Sequence, residues 1–271
     1  GIINPRFRSV TKGIEKFSPV SNVLKEYTMQ VQPDQYVFPP RSKDAIPRAD
    51  TEIFGMLGWV AQLKYNDSHA LIKYCQNGAI ELWNRHAERF RTYHAPSELI
   101  EQLDELGATL GIKPGTVTIL DGGLLDQKHV AIKDTIVIWD ILVFNNKHLI
   151  GTTYNERYQQ VLDISSLETP ERYLYENKSH EPIPLGYKFT PDILIPQCWE
   201  PCDWDNCWDL IATVNAPYTT GTPGSPNYDC KPVIEGLVFK DPNGVLELGF
   251  KESNNDSWMM RSRVMTGRHR F

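Results

Sequence analysis

The stretch Trp59-Val60-Ala61-Gln62-Leu63-Lys64-Tyr65-Asn66-Asp67 sets the reading of this chain. From Ala61 to Lys64 apolar and polar residues alternate, the period of a half-buried strand, and Asn66-Asp67 follows as a turn. A lysine at a strand end beside a turn is the chemical feature to carry outward.

Next along the chain, Ala70-Leu71-Ile72-Lys73-Tyr74 and Ala79-Ile80-Glu81-Leu82-Trp83 read as strands joined by a turn containing Asn77-Gly78, a strong hairpin signal. Residues 97–110 read as a helix running from Ser97 as N-cap through Leu106, with Gly107 beyond its end. Strands are expected at Val117 to Leu120 and Thr135 to Val143, and a helix at Tyr154 to Leu162. Strands return at Ile234 to Lys240 and Leu246 to Lys251, around the turn Asp241-Pro242-Asn243-Gly244. Residues 163–232 are Pro- and Trp-rich and are expected to be irregular, with one short helix around Trp208-Asp209-Leu210-Ile211. Residues 1–40 read as an extended or helical arm, Pro-punctuated at Phe38-Pro39-Pro40-Arg41, and 41–271 as the main domain. Strands and helices do not alternate as βαβ units. The expected class is α+β, antiparallel β-sheets flanked by helices, and a doubly wound nucleotide fold is disfavoured.

Composition narrows the function. At 271 residues the chain is one large domain or two small ones, on a scale of roughly 100–200 residues per domain. Hydrophobic residues at 41% and charged residues at 23% exclude wholesale disorder, collagen-like repeats and a coiled coil. The best apolar run, Thr135 to Phe144, carries Asp140 and falls short of the roughly 20 residues of a membrane span. Gly1-Ile2-Ile3-Asn4 does not open a signal peptide, so a soluble, cytoplasmic protein is expected. Lys and Arg total 28 against 34 Asp and Glu, a formal net charge of −6 that excludes a globally basic nucleic-acid coat protein. A nucleic-acid enzyme needs only one basic face, and Arg261, Arg263, Arg268 and Arg270 crowd the end of the sequence. The five cysteines include Cys198, Cys202, Cys207 and Cys230, whose spacing is not that of a zinc ribbon. With Trp199, Trp204 and Trp208 among them, thiols in a packed aromatic segment are expected.

No Walker A loop, GxSxG elbow, HExxH or GxGxxG is present. Instead the chain carries, in order, Lys64-Tyr65-Asn66-Asp67, Trp83-Asn84-Arg85, Leu120-Asp121-Gly122-Gly123-Leu124-Leu125 and Trp139-Asp140-Ile141-Leu142. Glu235-Gly236-Leu237-Val238-Phe239-Lys240 and Trp258-Met259-Met260-Arg261-Ser262-Arg263 follow. This series, with the longer stretch from Trp139 through Asn155-Glu156-Arg157, resembles the ordered motifs of the covalent nucleotidyltransferase superfamily: ATP-dependent DNA ligases, RNA ligases and mRNA capping enzymes. It covers residues 40–271, the length of an adenylation domain, and looks most like the phage- or virus-type ligases of DNA repair and replication.

The resemblance implies an adenylation-domain, ATP-grasp-like fold and a lysyl-AMP mechanism. Lys64 would attack the α-phosphate of ATP, and the AMP would pass to a 5′-phosphate before sealing to a 3′-hydroxyl. An amine with an ordinary pKa near 10.4 must shed its proton to attack, and phosphoryl transfer rests on positioning and charge neutralisation. ATP and Mg²⁺ (or Mn²⁺) are the implied cofactors. By position, Gln62 reads the adenine edge, with Leu63 beside it on the nucleotide strand, and Trp139 stacks on the base. Arg85 takes the slot of an arginine near the sugar and phosphate, and His69 is a further nucleotide-binding residue. Glu235 and Asp121 are the metal-associated carboxylates. Lys240 ends its motif at the nucleotide, and Arg261 and Arg263 take the place of the basic pair that contacts the triphosphate.

The chain departs from the family at several positions. Lys64-Tyr65-Asn66-Asp67 stands for Lys-x-Asp-Gly, His69 for an arginine, Gly123 for the glutamate of Asp-Gly-Glu, and Arg261 for a lysine. Asp121 or Asp126 would have to stand in for the carboxylate missing at Gly123. No oligonucleotide-binding (OB) barrel follows the last motif, so a partner supplying one is conceivable. The implied partners are ATP and nicked duplex DNA or RNA. DNA is favoured because Asp140-Ile141-Leu142 and Glu235 to Lys240 look DNA-ligase-like. The alternatives are an RNA ligase, or a degenerate nucleotidyltransferase fold kept as a nucleotide- or nucleic-acid-binding module.

Overall fold

A computed structural model describes residues 32–126, 128 and 131–266. Most of the expected arm (1–31) and Arg268 and Arg270 lie outside the described residues. In chain order the elements begin with a one-turn helix α1 (Glu52–Met56), then β1 (Val60–Tyr65), β2 (Ser68–Tyr74) and β3 (Ile80–Trp83). There follow α2 (Ser97–Leu110), β4 (Thr118–Leu125), β5 (Thr135–Phe144), β6 (Lys147–His148) and α3 (Tyr154–Leu162). Short strands β7 (Leu174–Glu176), β8 (Pro182–Pro184), β9 (Tyr187–Thr190) and β10 (Ile193–Ile195) lead to α4 (Trp204–Asn215). The chain closes with β11 (Thr219–Thr220), β12 (Asp229–Cys230), β13 (Ile234–Lys240) and β14 (Met259–Arg263). The fold is α+β, with one parallel contact, β5 on β10, inside an otherwise antiparallel sheet.

Two sheets face each other. The larger runs β3-β2-β4-β5-β10-β9, with β6 on β5, and the smaller is β1-β13-β14. Strand β5 is covered on both faces, hence its near-continuous apolar sequence. Ile136 and Ile138 enter the core under α2 and α3, while Val137, and Trp139 at its edge, face the core shared with the small sheet and α4. In β1, Ala61, Leu63 and Tyr65 enter that second core, which leaves Gln62 and Lys64 between the sheets.

The helices explain themselves locally. Leu99, Leu103 and Leu106 form the buried stripe of α2. The helix runs past Gly107 to Leu110 and ends on Gly111 in the left-handed conformation, with Pro96 rather than Ser97 at its N-cap. Gly107 is internal because the Tyr74 ring lies against it: a Cβ there would stand 2.8 Å from Tyr74 Cε1. Helix α3 opens with a capping box, Thr153 and Glu156 each accepting the other's backbone N–H.

Two further expectations fail. Helix α4 spans Trp204–Asn215, three turns rather than a short piece, because Trp204, Cys207, Trp208, Ile211 and Val214 recur on one buried face. Residues 246–251 form no strand. The edge of β13 that they would occupy is taken by β14, and Leu246 instead exchanges backbone hydrogen bonds with Gly151 and Thr152.

Candidate functional site

Strands β1 and β13 run antiparallel with Lys64 opposite Gly236, but Tyr65 pairs with Ile234, so Glu235 is the extra residue of a bulge. Bulges re-aim side chains. This one turns Glu235 onto Lys64, and the Nζ and Oε2 form an ion pair. Gly236 permits the arrangement: its φ is +145°, and a Cβ would fall 1.9 Å from the Ser262 carbonyl oxygen.

Around this pair a cavity of about 630 Å³ opens between the sheets. Strands β1 and β2 contribute Gln62, Leu63, Lys64 and His69; β5 and β13 contribute Trp139, Glu235 and Lys240. Strand β14 adds Arg261 and Arg263, and Arg85 reaches in from the loop after β3. Residues far apart in sequence and singled out from it thus meet in one place. Asp121 does not line the cavity. It is 1% exposed, and its Oδ1 meets His69 Nε2 at 2.5 Å. Asp126 is also committed elsewhere, accepting the Asp134 amide at 3.1 Å.

The charges have definite causes. Burial pulls the His69 imidazole down, but the charge and hydrogen bond of Asp121 outweigh it, so the pKa is raised and the cation favoured. His69 is thus biased toward the cation where the resemblance leads one to expect arginine. Lys240 is 3% exposed, and burial lowers its ammonium to about 8 against the opposing pull of Asp140. Arg261 is lowered by burial and by the neighbouring charges of Arg263 and Arg41. Like charges held together, with Arg261 Nε and Arg263 Nε unpartnered among the described residues, mark a place for an anion.

Sequence reasoning missed the organiser of this site, Tyr154. Its hydroxyl donates to the Trp139 carbonyl oxygen at 2.9 Å and accepts from Gln62 Nε2 at 2.8 Å and Lys240 Nζ at 3.2 Å. One buried phenol thus fixes Gln62, Trp139 and Lys240, and nothing in its local sequence marks it. His69 stands edge-on to Trp139, with ring centroids 5.7 Å apart. Beneath them Arg157 holds Asp140 with two hydrogen bonds, Nε–Oδ1 at 2.7 Å and Nη2–Oδ2 at 3.2 Å. That pair makes the Trp139-to-Arg157 stretch a unit: the strand that carries the tryptophan is bolted to α3.

Among the described residues no group of three or more His, Cys, Asp or Glu side chains is arranged to hold a metal ion. Mg²⁺ commonly uses one or two protein carboxylates and takes its other oxygens from phosphates and water. Glu235, in the cavity, fits that pattern, whereas Asp121, buried behind His69, does not. Cys198, Cys207 and Cys230 are buried thiols, the first two packed among the aromatic side chains. No helix among the described residues is long and apolar enough to cross a membrane.

No family model matches the chain, and no curated protein matches it. Solved structures do. One described as "Pmar-Lig_Pre." superposes with a TM-score of 0.50 at 15% identity, over 89% of this chain and 49% of that one. The ligase domain of LigD from M. tuberculosis matches at a TM-score of 0.42 and 11% identity, over 76% of this chain and 54% of that one. A mycobacterial DNA ligase D complexed with ATP and MES gives 0.42 and 12%, over 76% and 55%. The chain spans about half the length of these structures. At such identities the likeness is one of fold alone: the chain shares the α+β fold of the structure described as "Pmar-Lig_Pre.".

Proposed function

We propose that this protein is an ATP-dependent polynucleotide ligase, acting on nicked duplex DNA before RNA, that works through AMP carried on Lys64. The observation that carries the reading is the meeting, in one cavity, of Lys64, Glu235, Trp139, Lys240, Arg261 and Arg263.

Each side chain has a task that follows from its position. Trp139 offers a ring face to the base, and Gln62, held by Tyr154, its amide carbonyl. Lys240, His69 and the Arg261–Arg263 pair neutralise phosphate charge. Glu235 fixes Lys64 by the ion pair and takes the proton that the amine must lose. Lys64 Nζ then attacks the α-phosphorus: the N–P bond forms, the bond to the bridging oxygen breaks, and pyrophosphate leaves with the electron pair. A 5′-phosphate oxygen next attacks the same phosphorus and Lys64 leaves as the amine. A 3′-hydroxyl finally displaces AMP. A divalent cation held by Glu235 would add charge neutralisation at the phosphates. A second cavity of about 770 Å³ shares Lys128, Glu235 and Arg263 with the first and offers the polynucleotide a basic approach.

The test is catalytic. Incubated with Mg²⁺ and ATP, the protein should seal nicked duplex DNA and, more slowly, a nicked RNA–DNA hybrid, and Lys64→Ala should seal neither. Label from ATP on the protein without sealing of any nick would leave a nucleotidyltransferase that is not a ligase.

A further inference from the structure

Two of the departures noted in the sequence turn out to be one feature. Gly123 in β4 lies opposite His69 in β2, and a Cβ built on it would fall 1.8 Å from Asp67 Oδ2 and 2.6 Å from Asp67 Cγ. The carboxyl group of Asp67, from the turn between β1 and β2, therefore fills the space into which a side chain at 123 would project. Asp67 lines the main cavity, yet its Oδ2 is closed off from solvent and has no hydrogen-bond partner among the described residues. A buried oxygen without a donor is costly, so its retention asks for a reason.

The surroundings say what is missing. Burial raises the Asp67 pKa, while the charges of His69, Lys64 and Lys128 act the other way. Positive charge is already supplied three times over; a short-range donor is not. The charges of His69, which adjoins the Trp139 ring, and of Lys64 both reach Asp67, and all four residues line the one cavity. In a nucleotide whose base lies on Trp139 and whose α-phosphate meets Lys64, the group between them is the sugar. We propose that Asp67 is a specificity residue that receives the sugar hydroxyls of the bound nucleotide, its carboxylate delivered from the β1–β2 turn into the space that Gly123 leaves open. The inference rests on the nucleotide reading of the cavity.

The experiment compares binding of ATP, 2′-deoxy-ATP and 3′-deoxy-ATP, with and without Mg²⁺, by titration calorimetry. Wild type should prefer ATP over at least one deoxy analogue by about 10-fold or more, as for a hydrogen bond to a charged group. Asp67→Ala should abolish that preference, and the isosteric Asp67→Asn should reduce it while melting normally. Gly123→Glu alone should lose binding through collision with Asp67. The exchange Asp67→Gly/Gly123→Glu should restore the preference by presenting a carboxylate from the opposite strand. A preference that survives Asp67→Ala, or a wild type that binds the three nucleotides equally, overturns the assignment and leaves the nucleotide site standing. So does a variant that loses only its Mg²⁺ dependence, which would make Asp67 a metal ligand. Failure of wild type to bind any of the three removes the nucleotide reading itself, and this inference with it.

Discussion

Two buried aspartates, Asp140 and Asp67, have opposite surroundings. Asp140 is 1% exposed and is gripped at both oxygens by Arg157, which itself also binds the Thr152 carbonyl. Asp67 is buried at Oδ2 with nothing to receive. A closed pair is scaffold: every polar atom is answered within the protein, and its effect is to lock β5 to α3. An open carboxyl, in the same cavity as the unpartnered Arg261 and Arg263 nitrogens, leaves its partners to be supplied from outside.

The largest expected effect strikes the closed pair. Arg157→Met strands the Asp140 carboxylate and should cost about 3–5 kcal/mol in denaturant unfolding, whereas Arg157→Met/Asp140→Leu should regain much of it. Asp67→Asn should behave otherwise. A carboxyl whose pKa is raised in the folded state loses stability as pH climbs through the window above its ordinary value, so at pH 7 this variant should unfold at or beyond the wild-type midpoint. Equal losses for Arg157→Met and Asp67→Asn would erase the contrast.

Two tryptophans sharpen it. Trp199 is buried, its backbone paired with Ala61 and its carbonyl accepting Trp204 Nε1. Trp199→Ala should cost about 3–5 kcal/mol of stability, with nucleotide affinity intact in the folded fraction. Trp139 is partly buried at the edge of the cavity, so Trp139→Ala should instead weaken nucleotide binding by about 1–3 kcal/mol, roughly 5- to 150-fold. Similar losses of affinity from both would make Trp139 ordinary core.

The smallest effect is a titration. The Lys240 ammonium, lowered to about 8, loses its proton as pH rises through that value, and bound phosphate favours the charged form. ATP affinity should therefore fall above pH 8, by at most about tenfold per pH unit, and the slope should be absent in Lys240→Met. A wild-type profile as flat as that of the variant would place Lys240 away from the phosphates.

Much of this was legible beforehand, and the exceptions have physical reasons. Strands β1, β2 and β3 announce themselves by their β pattern and by Asn77-Gly78, and β5 by its apolar run. Helix α4 was under-read because tryptophan and cysteine are poor helix formers and only the packed face against the small sheet makes the period count. Leu246 to Lys251 looks like a strand, but whether a ladder has a free edge is a tertiary matter. The cavity residues could be nominated one by one from ordered motifs. Their coupling through the Tyr154 hydroxyl could not, because three hydrogen bonds to one oxygen leave no trace in sequence. Asp67 and Gly123 appeared as two separate departures, since only the pairing of β2 with β4 brings them together.

The central claim, that the unanswered groups surround a nucleotide whose phosphorus is taken up by Lys64, is tested most directly by mass. After incubation with ATP and Mg²⁺, intact-protein mass spectrometry should show the addition of one AMP, and peptide mapping should place it on Lys64. GTP should give no adduct, nor should Lys64→Ala with ATP. AMP mapped to any other residue, or wild-type protein that stays unmodified with ATP under Mg²⁺ and Mn²⁺ alike, would contradict the account.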